Sequence, residues 1–190
     1  MSASLASALM ARDPGTAAHS SRVTFLVSRL AAWLGWSEAE QSTIRVGARL
    51  HDIGKVSVSQ EILSKRGPLD QDELAEIRTH PAAGAQLVGI DGPVSDALPY
   101  VLYHHERWDG RGYPTGTAGE AVPIGARLLA VVDAFDAMTS TRPYRRALPV
   151  ERALAEIERC AGSQFDPTLA RAFLDAWDAG VFQLPDVVAR

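Results

Sequence analysis

"GARLLAVVDAFDAMTS", residues 125 to 140, decides the fold class. Its apolar residues cover most faces of a helix rather than one stripe, which predicts a helix buried on nearly all sides. Asp133 and Asp136 interrupt it. A carboxylate inside such a helix needs a counter-charge, a hydrogen-bond network or a metal, so Asp133 is read as a working residue. Asp136 could share its face, but its neighbours do not force it inward, and it is read as a supporting or structural residue.

The segments around this helix repeat the same period. Val23, Leu26, Val27, Leu30 and Leu34 form one amphipathic stripe, closed by Gly35. Ser37 with Glu40, and Asp70 with Glu73, read as capping boxes, the second with Leu69 and Leu74 placed as a staple. Asp166 and Pro167 open a helix carrying Leu169, Phe173 and Trp177 on one side. Gly and Pro collect at 54–69, 89–95, 108–124 and 140–149, which are read as loops. No alternation long enough for a sheet exists, so the predicted fold class is all-α.

The 190 residues fit one domain with a hydrophobic fraction of 46% and a formal charge of −4. That charge argues against a nucleic-acid polymer as partner, which calls for a basic surface. Cys160 is the lone cysteine, so a reducing compartment is expected. "MSASLASALMARDP" lacks the basic start and pure apolar core of a signal peptide. No run of 18 or more apolar residues exists either, so no membrane span is expected. The expected setting is cytoplasmic.

The five histidines are His19, His51, His80, His104 and His105. His51 is followed by Asp52 at the end of an apolar-faced helix; alone, that pair also reads as a surface histidine beside a helix-terminal aspartate. His80, followed by Pro81, is read as ending the helix begun at Asp70. Neighbours on a helix point about 100° apart, so His104 and His105 converge on one ion only if the helix ends there, as the Asp109–Gly110 turn suggests. Five imidazoles with Asp52 and Asp133 are too many ligands for one ion. Two metals sharing a carboxylate would use them all.

"HDIGK" (51–55), "THP" around His80, "HHERWDGRGYP" (104–114) and "DAFDAMTSTRPYR" (133–145) resemble the HD-GYP family. That is a branch of the HD metal-dependent phosphohydrolases which degrades cyclic di-GMP in bacteria. The resemblance implies an HD-domain helical bundle with a GYP loop over residues 13–180, an N-terminal extension or first helix over 1–12 and a tail over 181–190. It implies that His19, His51, Asp52 and Asp133 hold one metal and His80, His104 and His105 the other, with Asp52 as bridge. The ions would be two divalent transition metals, Fe or Mn foremost and Zn as the third option. The implied reaction is metal-activated hydroxide attack on cyclic di-GMP, giving linear pGpG and then GMP.

By the same resemblance Lys55, with Asp52 in the reaction centre, binds a phosphate oxygen, and Arg142 and Arg145 touch the nucleotide. Their alternatives are a dipole-favoured lysine at a helix end and a solvated basic loop. Arg146 is read as surface. Gly112, Tyr113 and Pro114 form a rigid loop lining the pocket or meeting a partner, so Tyr113 is a candidate for substrate contact. Glu106 is read as orienting a ligand histidine or as exposed. Four residues before His19, where three-metal relatives resemble one another in carrying a glutamate, stands Gly15, which implies a two-metal centre and a slow second hydrolysis. The partner expectations are a diguanylate cyclase (GGDEF) protein and a homodimer. The rival readings are a catalytically weak interaction module that binds such a cyclase, and a phosphodiesterase for another cyclic dinucleotide such as cyclic GMP-AMP.

Overall fold

The computed structural model describes residues 14–92, 94–141 and 146–182. Among them lie nine α-helices: α1 (Pro14–Trp33), α2 (Glu38–Leu50), α3 (Gln60–Ser64), α4 (Gln71–Ile77), α5 (His80–Val88), α6 (Leu98–Tyr103), α7 (Ile124–Thr139), α8 (Val150–Cys160) and α9 (Pro167–Asp178). No β-strand occurs among the described residues, so the fold is all-α. None of these helices is long and apolar enough to cross a membrane.

Helix α7 runs through the centre. Leu128, Leu129, Val131, Val132 and Phe135 are buried among Val23, Leu26, Val27 and Leu30 of α1, Ile157 of α8 and Phe173 of α9. Phe135 packs against Phe173 and Trp177 at ring-centroid distances of 5.0 and 5.1 Å. Val181 and Phe182, where the sequence reading starts the tail, belong to this core: Phe182 lies 5.1 Å from Phe173, and the Val181 carbonyl accepts from Arg29 Nε. The extension over 1–12 and residues 183–190 lie outside the described residues.

The capping boxes at Ser37–Glu40 and Asp70–Glu73 are both formed, and Asp166 accepts from the amides of Thr168 and Leu169. Two boundaries differ from expectation. His80 does not end the helix begun at Asp70; that helix stops at Ile77, and His80 opens α5 with Pro81 in its first turn. Proline lacks the amide hydrogen, which the first turn does not use, so it starts a helix as readily as it stops one. The expected loop at 54–69 holds a 3₁₀ turn (Ile53–Ser57) and α3, elements too short to show an apolar period.

The 3₁₀ turn lies directly against α5. A Cβ on Gly54 would run into the His80 carbonyl oxygen and come within 2.5 Å of the Gly84 amide. Only glycine allows this approach, and it brings Asp52 and His80 to one place.

Candidate metal centre

His51, His80 and His104 share one local device. Each follows the last residues of a helix, where backbone carbonyls lack intrahelical partners. Each turns its Nδ1 onto the carbonyl three residues back: His51 to Ala48 at 2.8 Å, His80 to Ile77 at 2.6 Å and His104 to Val101 at 2.8 Å. A carbonyl only accepts, so Nδ1 carries the hydrogen and Nε2 holds the lone pair. All three rings are buried, and His51 Nε2 has no hydrogen-bond partner. His80 Nε2 and His104 Nε2 face each other at 3.2 Å. An α-helix ends at Tyr103, which lets the His104 and His105 rings converge to 4.1 Å between centroids.

Their ligand atoms fall into two groups, each lying within 4.8 Å of one another: Asp52, His80, His104 and His105 in one, His19, His51 and Asp133 in the other. Asp52 serves both. Its Oδ1 lies 3.4 Å from His80 Nε2, while Oδ2 lies 3.4 Å from His51 Nε2 and 3.9 Å from His19 Nε2. Asp133 Oδ1 is 3.0 Å from His19 Nε2. Lone-pair nitrogens turned toward one another around buried carboxylates fit a pair of divalent cations, with the N/O donors that Fe, Mn and Zn accept.

The electrostatics favour the ligand forms of Asp52, Asp133, His80, His104 and His105. Burial pushes the His105 imidazole down to about 3 and His104 and His80 below the usual range, with neighbouring positive charges adding to the effect on His104. Burial works against the charge of Asp52, but Lys55, His51, His80 and His19 hold its carboxyl well below the usual value. Asp133 behaves likewise, through its hydrogen bond to His19 and the charges around it. His19 moves the other way: burial lowers it, but the hydrogen bonds to Asp133 and Asp136 and the nearby carboxylate charges raise it to about 9.

Asp136 is 3% exposed, against the expectation that nothing forces it inward. It accepts from His19 Nδ1 at 2.7 Å and from Arg22 Nε at 2.6 Å. These partners come from α1, far away in sequence, and the local pattern of α7 could not show them. The carboxylate fixes the His19 ring so that Nε2 faces Asp133, as an outer partner orients a ligand imidazole.

Lys55 Nζ lies 2.7 Å from Asp52 Oδ2. Glu106 is buried but does not bond a histidine: its Oε1 accepts from the Thr115 amide and hydroxyl and from the Gly116 amide, which ties down the GYP loop. Tyr113, in that loop, stacks on His105 with centroids 4.8 Å apart. A Cβ on Gly112 would come within 2.5 Å of the Arg107 amide and the Glu106 Cα, so the loop depends on glycine there. Arg142 and Arg145 lie outside the described residues.

A cavity of about 480 Å³ opens beside the ligands, lined by His104, His105 and Asp133 together with Arg78, Arg111 and Tyr113. The sequence reading missed Arg78 and Arg111, because nothing in their local pattern separates a cavity arginine from a solvated one.

A model of the HD domain matches residues 4–169 of the chain. The chain is 40% identical, over 172 residues, to the cyclic di-GMP phosphodiesterase response regulator RpfG of Xanthomonas campestris pv. campestris, covering 90% of itself and 46% of that protein. It is 38% identical to 3'3'-cGAMP-specific phosphodiesterase 3 of Vibrio cholerae over 157 residues, 83% of this chain and 34% of that one. The chain thus spans less than half the length of these relatives. Its fold is similar to that of Bd1817, an HDG"Y"P protein of Bdellovibrio bacteriovorus, with a TM-score of 0.69 at 21% identity, over 85% of this chain and 52% of that one. The chain belongs to the HD domain family, and its "HHE" and "GYP" blocks are those of the HD-GYP branch.

Proposed function

We propose that the chain is a metal-dependent phosphodiesterase that hydrolyses cyclic di-GMP to linear pGpG in the cytoplasm. The observation that carries this reading is Asp52, which presents one oxygen to each of two ligand groups beside a cavity of substrate size.

His51, Asp52, His80, His104, His105, Asp133 and His19 would hold two divalent cations of Fe, Mn or Zn. Bound there, the cations would supply acidification of a water and neutralisation of charge on the phosphoryl oxygens. The chain's own part is positioning. Backbone carbonyls hold His51, His80 and His104 with their lone pairs inward, Asp136 turns His19 Nε2 toward Asp133, and burial keeps His80, His104 and His105 neutral. Lys55, anchored on Asp52, places a positive charge where a phosphate oxygen would approach. In the reaction a water oxygen joins phosphorus, the P–O3′ bond breaks, and the 3′ oxygen leaves with a proton, which opens the ring. Arg142 and Arg145 are read as contacts to the nucleotide on the resemblance alone, as are the cyclase partner and the homodimer.

Incubating metal-loaded protein with cyclic di-GMP and following the products by chromatography tests this reading. Accumulation of pGpG is expected; no turnover of any cyclic dinucleotide by protein holding two metal equivalents would overturn it. The relative named for 3'3'-cGAMP specificity supports a second reading, in which that mixed dinucleotide is preferred. The ratio of kcat/KM for the two substrates decides between them.

A further inference from the structure

The wall of the cavity carries positive charge beside the ligand groups. Arg78 caps α4 and lies with its guanidinium 5.5 Å from the centroid of the Tyr113 ring, and Arg111 projects from the GYP loop. Neither has a carboxylate within ion-pair distance among the described residues. Arg107, also on this wall, is already committed: Nε and Nη2 bond Asp109 at 2.9 and 2.7 Å, and Nη1 bonds Gln164 at 3.1 Å.

A cyclic dinucleotide carries two phosphodiesters in one ring. When one reaches the ligand groups, the other must lie elsewhere in the same cavity, where the exposed guanidinium groups of Arg78 and Arg111 are the cations at hand. Guanidinium forks match phosphate oxygens in shape and charge. Resting on the cyclic-dinucleotide reading above, we propose that Arg78 and Arg111 anchor the second, uncleaved phosphodiester of the substrate. His105, Tyr113 and Arg78 follow one another at 4.8 and 5.5 Å, which carries the cavity lining from the ligand groups to the proposed anchor. A substrate with a single phosphodiester would leave the anchor unused.

The test uses metal-loaded protein hydrolysing bis(p-nitrophenyl) phosphate, a single diester, with cyclic di-GMP and 3'3'-cGAMP as competitors. Arg78→Ala and Arg111→Ala are each expected to raise both inhibition constants about tenfold, the worth of one charge-assisted contact. Arg78→Lys should recover part of the loss. Metal content and the rate on the single diester report the integrity of each variant. Unchanged inhibition constants, or a rise confined to one of the two dinucleotides, would overturn the anchor alone, since a phosphate contact does not distinguish bases. Absence of inhibition of the unmodified protein by either dinucleotide would overturn the proposed function and this inference with it.

Discussion

His80 Nε2 and His104 Nε2 lie 3.2 Å apart, and both rings have already donated Nδ1–H to a backbone carbonyl. Two lone pairs thus face each other in a buried space, an arrangement that a cation between them would stabilise. Purified protein is expected to hold about two ions of Fe, Mn or Zn per chain, by elemental analysis. Metal added at about 1,000 times its dissociation constant should raise stability by about 4 kcal/mol, seen as a higher Tm that a chelator reverses. Asp52→Ala should lower occupancy of both sites, because Asp52 faces both groups.

Gly54→Ala is expected to damage the site without touching a ligand. The new methyl would meet the His80 carbonyl, so the 3₁₀ turn and α5 must separate. Overpacking of this kind costs about 1–3 kcal/mol or more. Denaturant unfolding should show that loss together with weaker metal binding; a variant with native stability and full metal content would contradict the close approach.

Asp136→Asn removes the negative charge that holds His19 Nδ1 and Arg22. Loss of an outer partner of this type costs roughly 10–100-fold in metal affinity or activity. Titration with Mn should show one site weakened, that of His19, His51 and Asp133, with the other retained.

Arg142→Ala and Arg145→Ala should raise KM, each by a contact worth about 1.5–3 kcal/mol, whereas His104→Ala should abolish turnover through loss of metal. Steady-state kinetics of the three variants separates binding from chemistry. An unchanged KM in the double arginine variant would remove both from the site.

Gly15 stands four residues before His19 in α1 and has no side-chain donor. A two-metal centre is therefore expected, with pGpG building up and GMP appearing slowly. Anomalous scattering counts the ions, and a product time course follows the two steps. A third ion near His19 would refute the count; rapid GMP release by a two-metal protein would break its link to the second step.

Periodicity and caps in the sequence by themselves determined the long helices α1, α7 and α9 and the starts of α2 and α4, but not α3 or the break between α4 and α5. The stripe from Val23 to Leu30, the boxes at Ser37 and Asp70 and the cap at Asp166 act over three or four residues, which a linear reading captures. The set of candidate ligands was legible as well, since five histidines in 190 residues can be counted and weighed against a buried aspartate. The family resemblance implied how they divide, but the tertiary structure alone decided which nitrogen of each ring faces inward and that Asp136 is drawn inside by His19 and Arg22. It also decided that Arg78 and Arg111 share a cavity wall with His105. His19 and Asp136 are 117 residues apart. Contacts of that range follow from how helices pack, and packing leaves no trace in the local pattern of either partner.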